Sequence, residues 1–147
     1  MPDSEEKLDE KEAVKRLNAA LEMQYRSALQ YSLTASSLTG IEAQALGSEL
    51  TGFGDLELAD ARRLVEKIVS FGGDPTTKVA ELRFDRNAKS ALRWLAECEE
   101  AAVELLQEAI EPTGRDGRSE ALEHLMEHLI MRKQNQVDWL RRARREP

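Results

Sequence analysis

Apolar residues recur at steps of three and four along most of the chain, the period of one helix face. Between Leu50 and Pro75 the stripe is Leu50, Phe53, Glu57, Asp60, Ala61, Leu64, Ile68 and Phe71. Upstream it is Leu17, Ala20, Leu21, Gln24, Ala28, Tyr31, Ala35 and Leu38. Downstream, one stripe joins Leu92, Leu95, Ala96, Glu99, Ala102, Val103, Leu106 and Ile110, and another joins Leu122, Leu125, Met126, Leu129, Lys133, Gln136, Val137 and Leu140. Four amphipathic helices follow.

Local punctuation sets their ends. Asp9 followed by Glu12 has the form of a capping box, so the first helix starts there and runs to about Leu38. Thr39 with Glu42 offers a cap to the second, which stops at Gly72-Gly73 before Pro75. The third is expected from about Asn87 to Glu111. Pro112, Gly114 and Asp116-Gly117 form a turn, and the fourth runs from about Ser119 to Arg145. Residues 72–86 make a connection far longer than a tight turn, long enough to cross from one end of a bundle to the other. The expected fold is all-α, a four-helix bundle with a long crossover between the second and third helices. Residues 1–8 form a flexible acidic segment, and residues 9–145 form a single domain.

Composition sharpens this picture in three places. The chain has 147 residues, enough for one core and too few for two. Its single cysteine, Cys98, precludes an internal disulfide framework and fits a reducing compartment. We read Cys98 as a half-buried small residue beside Glu99 and place the protein in the cytoplasm. Charges interrupt every apolar run, so no stretch suits a membrane span. A net charge of -7 disfavours broad nucleic-acid binding, although Arg141-Arg142-Ala143-Arg144-Arg145 runs the other way. Cations at a helix C-terminus account for that run. The same run, Arg141 to Arg145, offers weak contact with nucleic acid or another acidic partner.

The candidate chemistry lies where polar residues interrupt the apolar stripes. Gln24, Glu57, Asp60, Glu99, Lys133 and Gln136 all face inward, contributed as one, two, one and two by successive helices. Burying a carboxylate without a partner is costly, so each must meet a cation, a metal or a proton. A charged Lys has three donors and no lone pair, so Lys133 repels a metal but neutralises carboxylates. The residues themselves favour a buried network of Gln24, Tyr31, Glu57, Asp60, Glu99, Lys133 and Gln136. The alternative is a metal held by Glu57, Asp60 and Glu99.

The one-two-one-two layout is similar to that of ferritin-like di-metal carboxylate proteins, in which two helices each give a Glu and two give Glu-x-x-His. Leu17-Asn18, Gln30-Tyr31, the run from Glu57 to Leu64, Gly72-Gly73-Asp74-Pro75 and Val137-Asp138-Trp139-Leu140 resemble bacterioferritin in order and spacing. Bacterioferritins store iron in shells and oxidise Fe(II) at a di-iron centre. The resemblance implies that Gln24 stands where the family has a first-helix Glu, Asp60 where it has His, and Lys133 with Gln136 where it has Glu and His. Glu57 and Glu99 keep the family's ligand type. Leu58 occupies the place of the haem-ligating Met, so no haem is expected. The implied reading is a non-catalytic scaffold in iron or stress physiology, a homodimer through the outer faces of the first two helices. No cofactor is expected in it. A larger shell is in doubt because the family's extra C-terminal helix has no counterpart. The alternative is an iron-storage or ferroxidase-type protein with an altered ligand set.

One further pattern, His124-Leu125-Met126-Glu127-His128, has the H-x-x-E-H form of inverted zinc proteases. Its histidines point away from the Leu122, Leu125 and Leu129 stripe and no third ligand is evident. We read the pair as surface or subunit contact.

Overall fold

The computed structural model describes residues 8–110 and 116–145. Four helices, α1 (Glu10–Ser37), α2 (Gly40–Ser70), α3 (Ala88–Ile110) and α4 (Gly117–Arg144), make up the architecture. α1 packs on α2 and α3, and α4 packs on α3 and α2, which is the four-helix bundle with a long crossover that the sequence predicts. The expected turn at Pro112 and Gly114, and the acidic segment up to Lys7, fall outside the described residues. Leu8, expected in that flexible segment, is tied down: its N–H donates to Asp116 Oδ2 at 3.2 Å and its side chain packs on the core.

Helix starts follow side-chain acceptors. Asp9 accepts from the Glu12 N–H, and Asp116 accepts from the Ser119 N–H at 2.8 Å, so α4 begins two residues before its predicted start. Asn87 Oδ1 accepts from the Ser90 N–H at 3.0 Å and caps α3. At Thr39 the position is right but the expected side-chain cap bond is not made, because the chain turns through Gly40 at φ +66°. α2 ends as the sequence predicts. Gly72 adopts φ +79°, and the Gly73 N–H returns to the Ile68 carbonyl at 3.0 Å. Gly73 also lies so close to α1 that a Cβ there would stand 2.5 Å from Val14 Cγ1.

The crossover is held against α1 by two side-chain amides. Asn18 donates to the Asp74 carbonyl at 3.0 Å and accepts from the Thr76 N–H at 2.8 Å. Gln30 does the same one span further on, donating to the Arg83 carbonyl at 2.8 Å and accepting from the Arg83 N–H at 3.0 Å. Gln30 Oε1 also accepts from Trp94 Nε1 at 2.9 Å, while the Arg83 guanidinium lies 3.9 Å above the Trp94 ring. The two amides thus anchor an extended strap at both ends without strand partners.

The apolar core comes in two parts. One gathers Leu17, Leu21, Leu64, Ile68, Leu106, Leu122, Met126 and Leu129. The other gathers Tyr31, Leu50, Leu92, Leu95, Ala96 and Leu140, with Phe53 and Trp139 packed edge to face beside it. The intervening helix turns carry Gln24, Glu57, Glu99, Lys133 and Gln136, so a polar layer divides the core.

Candidate functional site: a buried lysine between two carboxylates

Each helix delivers its polar side chain to this layer by the register of its own apolar stripe. Glu57, Glu99 and Lys133 are all 0% exposed. Lys133 Nζ donates to Glu57 Oε2 at 2.6 Å and to Glu99 Oε1 at 3.0 Å. From the same helix, Gln136 Nε2 donates to Glu57 Oε1 at 2.6 Å and to Glu99 Oε2 at 2.5 Å. Gln24 Nε2, from α1, donates to both the side chain and the backbone carbonyl of Glu57. The Tyr31 hydroxyl donates to Glu99 Oε2 at 3.1 Å. All four helices therefore meet on two carboxylates.

The electrostatics divide the carboxylates into unlike partners. For Glu99, burial and then repulsion from Glu57 raise the pKa to about 8, so it carries a proton at neutral pH. For Glu57, burial acts upward, but the Lys133 charge and hydrogen bonds from Glu99, Lys133 and Gln136 outweigh it and lower the pKa. Burial opposes the Lys133 charge as well, and attraction to Glu57 and then Glu99 overcomes that and raises its pKa. Burial, followed by the two Glu charges, lifts Tyr31 well above the phenol range and keeps it neutral. One cation, one anion and one neutral acid make a layer without net charge.

Asp60 is the exception among the residues assigned to this network. Its carboxylate turns to Arg63 Nη1 at 2.6 Å and Arg132 Nη1 at 3.4 Å, and makes no hydrogen bond to the Lys133 set. Burial raises its pKa even though Arg132 pulls the other way. Neither arginine was among the sequence candidates. Arg63 lies three residues after Asp60 on one helix face, so its role was legible in the spacing. Arg132 comes from α4 and gave no such signal. Gln30 was likewise missed as a buried polar anchor. Cys98 is 1% exposed rather than half-buried, and burial pushes its thiol to about 12. The arginine run is also partly folded in: Arg144 is buried and Arg141 Nη2 pairs with Glu100 Oε1 at 2.5 Å.

Residues 14–146 match the ferritin-like domain family. The chain belongs to this family. No curated protein matches it in sequence. Among solved structures, a ferritin-like diiron-carboxylate protein from Bacillus anthracis superposes with TM-score 0.85 at 24% identity, covering 92% of this chain and 96% of that one. A Rhodobacter capsulatus bacterioferritin, described with a metal-free dinuclear site and haem iron, gives 0.78 at 21%, covering 88% and 81%. A dodecameric thioferritin from Bacteroides fragilis, related to bacterioferritin, gives 0.81 at 20%, covering 92% and 85%. These similarities show a shared fold.

The donor set of this ferritin-like chain does not fit a dinuclear iron centre. Such a centre needs lone pairs pointing inward, whereas Lys133 Nζ and Gln136 Nε2 point N–H donors at both carboxylates. Among the described residues no three His, Cys, Asp or Glu side chains are grouped to hold a metal ion. No described helix is long and apolar enough to cross a membrane.

Proposed function

We propose that the protein is a non-catalytic ferritin-like scaffold in which the Lys133 ammonium replaces the charge of a metal centre. The observation that carries this reading is the position of Lys133 Nζ, 2.6 and 3.0 Å from the two carboxylates that keep the family's ligand type. A buried ammonium in that position neutralises the site and holds the helices in register without a metal or haem. It acts in the cytoplasm as a binding or regulatory component of iron or stress physiology, a context supported by the diiron and bacterioferritin descriptions of its structural neighbours. The working unit is a homodimer through the outer faces of α1 and α2. Leu29 and Leu58, 47% and 46% exposed, supply an apolar surface for it together with Leu33.

Metal content after anaerobic Fe(II) loading and desalting tests the proposal, with Glu57→Ala measured beside the native chain. Iron near zero in both is the expected result. Iron near two per chain, lost in the variant, would overturn it.

A second reading, iron bound through Glu57, Asp60 and Glu99, draws support from buried oxygens. Asp60 Oδ2, Gln24 Oε1 and Gln136 Oε1 have no hydrogen-bond partner among the described residues. In that case Lys133 is neutral or turned away, and the Fe(II) loading above yields iron that depends on Asp60 as well as Glu57.

A further inference from the structure

Outside the polar layer, α4 carries two exposed histidines, His124 and His128, on one uninterrupted helix. A spacing of four puts their Cβ atoms about 5–6 Å apart on the same face. Two imidazoles so placed can both reach one metal ion at about 2.0–2.1 Å. Their carrier helix is already rigid, so little ordering is needed beyond two exposed side chains.

His128 also has a defined tautomer. Its Nε2 lies 2.8 Å from Arg132 Nη2, and a guanidinium only donates, so Nε2 is the acceptor and Nδ1 holds the proton. The lone pair a metal needs is therefore present, occupied only by a hydrogen bond at the surface. A rotamer change of an exposed ring, a ps–ns event, turns Nε2 from Arg132 toward His124. Arg132 has somewhere else to go, since its Nη1 already lies 3.4 Å from the buried Asp60 Oδ1.

We propose that His124 and His128 form a bidentate surface site for a borderline divalent transition-metal cation, with copper(II) bound most tightly and water in the remaining positions. Imidazole nitrogen suits copper, nickel and zinc, and the ordinary order of stability places copper(II) highest. Hard cations such as magnesium need oxygen ligands that this pair does not supply. With no third side chain grouped beside it among the described residues, the site is open and exchangeable rather than structural. Arg132 acts as its competitor, both by occupying the Nε2 lone pair and by placing a positive charge beside the incoming cation.

The test is a titration of the full chain with copper(II) at neutral pH, followed by calorimetry and electron paramagnetic resonance, with magnesium as control. One copper per chain is expected, with nitrogen hyperfine coupling from two imidazoles. His124→Ala and His128→Ala, both at exposed positions, should each weaken binding about 100-fold through loss of the linked second ligand. Arg132→Met should tighten it. Copper binding that survives undiminished in the double histidine variant would place the site elsewhere and overturn the proposal.

Discussion

Lys133 and Glu57 form an ion pair in which neither side chain is exposed, with 2.6 Å between Nζ and Oε2. The two residues come from α2 and α4, neighbouring helices whose backbones otherwise meet sparingly. Removing either partner leaves a charge where water cannot reach it.

Lys133→Met should therefore destabilise the fold by about 3–5 kcal/mol, the usual consequence of breaking a buried pair. Urea unfolding at neutral pH measures it. Adding Glu57→Gln to the same chain should recover much of the loss, because the second charge is then gone. An unchanged midpoint in Lys133→Met would show that the pair contributes nothing.

Glu99 sets a pH dependence whose sign can be worked out. Its folded pKa, about 8, lies above its ordinary value of 4.5, so the folded state binds the proton more tightly than the unfolded chain. The stability this contributes is complete below 4.5 and is lost as pH rises to about 8. Thermal melts across that window should show a falling Tm in the native chain and a flatter profile in Glu99→Gln. Parallel profiles would mean that Glu99 is not the neutral acid.

Gln30 anchors the crossover. Gln30→Ala removes the partner of the Arg83 N–H and carbonyl and of Trp94 Nε1, so a loss of about 1–3 kcal/mol is expected. Amide exchange at Arg83 should accelerate more than exchange in α1.

Gly73 is required by space. In Gly73→Ala the new Cβ would stand 2.5 and 2.8 Å from the two Val14 methyls, and overpacking of this kind costs about 1–3 kcal/mol. Val14→Ala in the same chain should relieve most of it. Denaturant unfolding of the two single variants and the double gives the coupling directly.

Dimerisation through α1 and α2 predicts that Leu29→Asp or Leu58→Asp shifts the protein to a monomer in sedimentation velocity. Neither side chain is in the core, so helix content should be unaffected. A native chain that sediments as a monomer at all concentrations would rule this interface out.

The fold was legible because apolar period, caps and glycine stops agreed with one another. Most stripe residues are buried, and the helix ends moved by no more than two residues. The polar layer was legible for a related reason: Gln24, Glu57, Glu99, Lys133 and Gln136 each occupy a stripe position that would otherwise take an aliphatic residue. Asp60 occupies one too, yet its short side chain meets guanidinium groups arriving from beside the stripe. Periodicity fixes which face a residue is on, but not how far a long neighbour reaches round to meet it. The same limit explains Arg132, Arg144 and Gln30, whose polar ends return to the protein from positions that read as surface.

A divided core also constrains how the helices can slide. Were α4 to slip by one turn, Leu129 or Val137 would replace Lys133 between the carboxylates, and the ammonium would enter an apolar cluster. An all-leucine interior would tolerate such a shift with little change in buried area. Here one misplaced charge penalises every alternative alignment, so the layer acts as an indexing pin that sets the axial position of each helix.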